Sequence, residues 1–451
     1  RGIWRVPKCS VESIFDFAWA GPSGREMEVT QGVQHLRADL PEVPLIANKP
    51  TVVRAWPTVS QGAHLNVTAS LEGHRFNCTT FEDTDDWLGP IPSDEGAAGI
   101  TVRPTTGIDR GSTTDSFEFT LPPEWRTEGC LRLTARINPS GQLEFDESNN
   151  TVQTFVEFRA KETPCISIVP LATRSRATGA THPIYAPGNP AFTSAFNQRI
   201  VPRLATLWPV PRVQRVFSGV VLRQNRPFRM PGNGKLDALV RLAVGSRVFK
   251  NVRDTSLRSR LFVGCDADTL PFVTGLVHPA ANTGGGLGVA VVPRTGPFGL
   301  IGRTVPVSWS MMIPPKPGSP QTASGSHVLS QEMAHNRKLK HVSCGCNIAG
   351  GFKNDFPYCD GAVNLNCPGR DQCCQFGPDT GDLSVWGYDT LSGAVIAPGP
   401  PANAPGTTTV FDVMSNMSAN WVSDHTYRRL DDRIPDLDPM SALSSSPDVS
   451  F

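Results

Sequence analysis

The hydrophobic pattern changes period near residue 160, and no other feature of the sequence restricts the fold as much. Before that point, runs such as Thr51 to Ala55, Leu65 to Leu71, Ser116 to Leu121, Leu131 to Ile137 and Thr151 to Phe158 alternate apolar and polar residues, with Gly, Pro, Asp and Ser between them. A two-residue period sets one face of each strand against a core. Several such strands at close spacing, with no helical pattern between them, predict an antiparallel β-sandwich. After Lys161 the pattern differs. A buried strand is predicted at Cys165 to Leu171, then a helix over Phe196 to Leu207, where Phe196, Ile200, Leu204 and Leu207 share one face. A second helical window covers Leu236 to Phe249, and a Gly-rich strand Gly284 to Val292. Strands alternating with helices predict an α/β arrangement. At 451 residues the chain exceeds what one core usually spans, so a multidomain α+β protein is expected.

Charge and composition remove several function classes. The 42 basic and 41 acidic side chains leave a net charge of +1, without the electrostatic footprint of a nucleic-acid binder or a polybasic membrane sensor. No apolar run reaches the roughly 18 to 20 residues of a membrane-spanning helix. The expectation is a soluble chain with no nucleic-acid partner and no membrane span. It begins at Arg1 without a basic-then-apolar leader, read as a signal peptide already removed or never included. The Cys content and the Asn-x-Ser/Thr sequons at Asn66, Asn77, Asn149 and Asn416 favour an oxidising exterior, hence a secreted, extracellular glycoprotein. No G-x-S-x-G elbow, P-loop or dinucleotide fingerprint is present, and close backbone approach explains GGGLG at Gly284 to Gly288.

The chemistry concentrates in Ser326 to Cys346, SHVLSQEMAHNRKLKHVSCGC. A helix there places Gln331 and His335 four apart on one face with Glu332 beside them, and His341 follows six residues later. The segment resembles the metzincin pattern H-E-x-x-H-x-x-G-x-x-H of zinc peptidases, with Gln331, Glu332, His335, Lys338 and His341 at its five defined positions. Downstream, FDVMSNMS is similar to the family's Met-turn, with Met414 as its Met, and Trp421 to Ile434 looks like its C-terminal helix. Upstream, Gly286, Leu287, Gly288 and Val289 lie in a run that resembles the edge strand on which metzincins bind substrate backbone. In the N-terminal part, Leu121 to Val152 resembles the closing strands of adhesion-type, immunoglobulin-like sandwich domains of bacterial exported proteins, mainly through its Asp-Glu-Ser-Asn-Asn-Thr turn.

These resemblances imply an N-terminal segment 1–29, an immunoglobulin-like sandwich 30–160, a metzincin-like metallopeptidase domain 161–440 and a flexible tail 441–451. They imply Zn²⁺ on His335, His341 and a third ligand at Gln331, with Glu332 as general base on the bound water. The substrate would be an extended polypeptide added to the edge strand, and the sandwich would hold a cell-surface or extracellular-matrix ligand. Three positions depart from the pattern. Gln331 offers an amide oxygen where zinc takes an imidazole nitrogen, a poorer ligand. Lys338 replaces the Gly that turns the chain with positive φ, and Asn416 stands where several subfamilies carry a Tyr. The alternative is therefore an inactive metzincin-like scaffold serving adhesion or protein binding, whether Gln331 arose by divergence or was introduced.

Other residues carry less. His327, one turn before Gln331, is offset about 6 Å along the helix axis, too far to replace it readily. The remaining His residues, His35, His64, His74, His182, His278 and His425, have no partner at ligand spacing. Cys344, Cys346, Cys359, Cys367, Cys373 and Cys374 form either a disulfide-stapled irregular subdomain or a second zinc site. The absence of C-x-x-C knuckle spacing favours disulfides. Cys78 and Cys130 are expected to pair within the sandwich.

Overall fold

The computed structural model describes residues 16–21, 26–35, 42–138 apart from 105 and 107, 147–174, 178–180, 196–217, 222–227, 264–266, 269–277, 288–290, 307–311, 325–339, 385–397, 410–414 and 420–437. These residues build several β-sheets with few helices and gather into two compact units. The first takes the chain up to Thr30, Thr51–Trp125 and Gly129–Glu157, and the second Gln31–Pro50, Arg126–Glu128 and the chain from Phe158 onward.

In the first unit, strands Thr151–Arg159, Gly129–Asn138, His64–Phe76 and Asp83–Pro92 are neighbours in that order. The two central strands are antiparallel, in register at Ala135↔Leu71 and Ile137↔Ala69. Leu131, Leu133, Ala135 and Ile137 all turn to the core, as two-residue alternation requires. Gly73, opposite Leu133, leaves room for Trp125: a Cβ there would come within 3.1 Å of the indole. A second antiparallel sheet joins Met27–Thr30, Val52–Ala55 and Phe117–Thr120, aligned at Val29↔Val53↔Phe119. The intervening row holds Glu28, Arg54 and Glu118, with buried ion pairs Arg110–Glu28 at 3.0 Å and Arg54–Glu118 at 3.4 Å. Cys78 and Cys130 form the expected disulfide.

The main sheet of the second unit has six strands: β1 (Pro164–Arg174), β2 (Gln214–Phe217), β3 (Leu222–Pro227), β4 (Leu270–Val277), β5 (Gly288–Ala290) and β6 (Val307–Met311). Their order is β2-β1-β4-β6-β5, with β3 also on β1. All pairs are parallel except β5 with β6, which is antiparallel and closes the edge. Parallel strands are covered on both faces, so Cys165 to Val169 are buried without alternation. A disulfide joins Cys165 to Cys265. A π-turn at Phe196–Ile200 leads into α1 (Val201–Leu207), and Phe196, Ile200, Leu204 and Leu207 are buried on the face that their spacing predicts. Helix α2 (Gly325–Asn336) packs on β5, β6 and α1, and α3 (Asp424–Asp431) closes the described chain, capped by Ser423. Among the described residues no helix is long and apolar enough to cross a membrane.

Two expected boundaries change. Residues 31–50, expected within the sandwich, belong to the second unit, and the division near 160 falls between Glu157 and Phe158. The physical cause is specific pairing. Val33–His35 adds an antiparallel strand to Val385–Asp389. The Gln31 amide brackets Ile46, donating to its carbonyl at 2.8 Å and accepting from its N–H at 2.7 Å. Lys49 Nζ donates to the Thr206 and Trp208 carbonyls at the end of α1 and lies over the Tyr427 ring. Within the expected segment 1–29, Phe17–Trp19 and Met27–Thr30 are strands of the first unit. The second helical window, Leu236 to Phe249, lies outside the described residues, as do the cysteine cluster and the tail 441–451.

Candidate functional site

Helix α2 presents the candidate residues. Glu332 is 6% exposed and Gln331 9% exposed, so both are held inside the second unit. The helix ends in a Schellman motif. Lys338 N–H donates to His335 O at 2.9 Å and Leu339 N–H to Ala334 O at 3.1 Å, with Lys338 in the left-handed region at φ 64°. The sharp turn that the pattern assigns to Gly is thus made by Lys, and Leu339 packs in the same core as Ala334. That turn also aims a carbonyl: Leu339 O lies 2.8 Å from His335 Nδ1. A carbonyl can only accept, so Nδ1 carries the proton and Nε2 is the ring's basic nitrogen. This is the tautomer that a metal-ligating His adopts when a carbonyl orients it.

Burial pushes the Glu332 carboxyl up to about 8, with no cation among the causes. His327, four residues before Gln331, is pushed down to about 4 by burial and is neutral at neutral pH. A dication beside Glu332 would hold it ionised. The His335 imidazole nitrogen and the Gln331 amide oxygen, on the same helix, are donor types that a divalent metal can take, the amide being the poorer one. Among the described residues no three His, Cys, Asp or Glu side chains gather as a metal site. His341, the expected further ligand, lies outside the described residues, as do Gly286, Leu287 and Asn416.

Of the expected edge strand, Gly288 and Val289 fall in β5, antiparallel to β6 and next to α2. Met414 is 1% exposed and shares a core with Leu329, Met333 and Ala334 of α2. A residue without any motif organises its turn. The Asp412 carboxylate, fully buried, accepts from Met414 N–H at 2.7 Å, Ser423 N–H at 3.0 Å and Thr426 Oγ1 at 3.0 Å, tying the turn to the start of α3. Burial raises its pKa against the lowering effect of those donors. Its only trace in the sequence is its position two residues before the Met.

No protein-family model matches the chain, and no curated protein matches it. Among solved structures, the chain is similar to a CARDB domain from Pyrococcus furiosus at 14% identity and TM-score 0.18, covering 32% of this chain and 95% of that one. It is also similar to a Bacillus anthracis protein assigned as a polysaccharide deacetylase, at 11% identity and TM-score 0.15, covering 56% of this chain and 60% of that one. Both scores are too low to inform the fold or the site.

Proposed function

We propose that the chain is a secreted, zinc-dependent endopeptidase of the metzincin type whose first unit is an immunoglobulin-like sandwich. The observation that carries this reading is the His335 Nδ1–H bond to Leu339 O at 2.8 Å, made through a left-handed turn at Lys338. A solvated helix face has no need of such an arrangement, whereas a ligand imidazole does. His335, His341 and the Gln331 amide would hold the metal. Zinc, when bound, supplies Lewis-acid polarisation of the scissile carbonyl and acidifies water. Glu332 takes the proton of the attacking water and delivers it to the leaving amine. The outer edge of β5 offers backbone groups to an extended polypeptide, which would bind as an added strand.

One observation favours a second reading: the amide at Gln331, which weakens zinc binding and fits an inactive scaffold for adhesion or protein binding. Bound zinc per chain, measured beside a Gln331→His variant, separates the two. One zinc per unmodified chain, with peptide hydrolysis that Glu332→Ala abolishes, is the expected result. Zinc in the variant alone would establish the scaffold reading, and zinc in neither would end the metal assignment of His335 and His341.

A further inference from the structure

The outer face of the first unit carries apolar rings that its core does not use. Phe81 is 73% exposed, Phe155 58% and Trp87 54%. Phe81 stacks on Phe76 at 6.0 Å and Phe155 meets the same ring edge-on at 5.5 Å, while Trp87, across the strand pair from His74, stands against that imidazole at 4.8 Å. The Cys78–Cys130 disulfide pins the turn beneath. Phe81 also has φ 59°, a left-handed conformation that a bulky L-residue adopts only under strain. A turn selected for stability would carry Gly or Asn there, so backbone strain spent on an exposed ring points to a use for it.

Charge identifies the occupant. Glu82, Asp83, Asp85 and Asp86 are exposed between Phe81 and Trp87. Arg132 pairs with Asp83, but no ion pair engages Asp85 or Asp86 among the described residues. Acidic residues on a terminal strand also discourage edge-to-edge association. That accounts for the carboxylates alone, because edge protection removes exposed rings and does not present them. We propose that Phe81, Trp87 and Phe155, with the exposed carboxylates of Asp85 and Asp86 on the strand between Phe81 and Trp87, form a docking surface for a basic, extended polypeptide. Its Lys or Arg side chains would meet the carboxylates and ring faces while its apolar side chains cover Phe81 and Phe155. The inference is independent of the peptidase reading.

The test uses the full chain carrying Glu332→Ala, so that the probe stays intact, and the fluorescence anisotropy of a labelled decapeptide of alternating Lys and Leu. Saturable binding is expected, weakened about tenfold or more by Phe81→Gly and by Asp85→Asn with Asp86→Asn, and weakened by added salt. Phe81→Gly relieves the left-handed backbone, so its melting temperature is expected to be unchanged or higher, which separates lost docking from lost folding. Unchanged affinity in either variant would overturn the proposal. So would equal binding of an alternating Glu-Leu decapeptide, or binding of the neutral polysaccharide laminarin with none of the basic peptide.

Discussion

Glu332→Gln in metal-free protein tests the environment on which the candidate site depends. The Glu332 carboxyl has an ordinary value of 4.5 and is pushed to about 8 by burial in the folded chain. The folded state therefore binds the proton more tightly than the unfolded state. This contribution to stability is fully present below pH 4.5 and is lost as pH rises through about 8. At about 1.4 kcal/mol for each pH unit between the two values, the loss across that window is about 4 to 5 kcal/mol for a side chain this buried. Gln has the same shape and no charge. Urea unfolding with EDTA present, followed by tryptophan fluorescence at pH 5, 7 and 9, is expected to show similar stabilities at pH 5 and a widening advantage for the variant at pH 7 and 9. A difference that stays constant within about 0.5 kcal/mol across that range would refute the burial argument. Saturating zinc is expected to flatten the dependence, since an adjacent dication favours the carboxylate.

Three further outcomes follow from particular contacts. Lys338→Gly removes a left-handed L-residue and is expected to stabilise the second unit by up to about 1 kcal/mol, about 2 °C in melting temperature. No gain would mean that the turn is not held this way in solution. Arg110→Met removes the guanidinium that pairs with the buried Glu28 and is expected to cost about 3–5 kcal/mol, most of it regained when Glu28→Met is added. A double variant as unstable as the single one would show that the pair is worth more than its desolvation. Asp412→Ala strips the acceptor from three buried donors and is expected to cost about 2–4 kcal/mol. It should also speed hydrogen exchange at the Met414 and Ser423 amides, and unchanged protection there would count against the role given to Asp412.

The site is legible in the sequence as far as helical spacing reaches. Four-residue separation by itself puts Gln331 and His335 on one helix face, and α2 covers both. The His335 tautomer is not legible, because it depends on the direction of one carbonyl beyond the helix end. Lys338 is legible only as a departure from Gly, compatible with a strained turn or with one built differently. The turn is in fact kept, with Lys bearing the left-handed conformation and the two Schellman bonds offsetting part of its cost. Propensity disfavours Lys there, but the bonds of the turn outweigh it.

The fold is legible to the same depth. Alternation marks Leu131 to Ile137 as half-buried and the β-branched, mostly apolar run Cys165 to Val169, broken only by Ser167, as fully buried, because each follows from how many faces of a strand are covered. Neither pattern says which strand does the covering. Val33–His35 therefore resembles any sandwich strand in sequence, yet its partner Val385–Asp389 lies about 350 residues away. Gly32, whose Cβ would come within 2.7 Å of the Thr206 carbonyl, and Lys49, whose Nζ caps the end of α1, commit residues 31–50 to the second unit. Long-range backbone complementarity, invisible to local periodicity, thus decides the domain boundary. A second unit made from Phe158 onward alone would lack the strand, the amide bracket at Ile46 and the Lys49 amine over the Tyr427 ring.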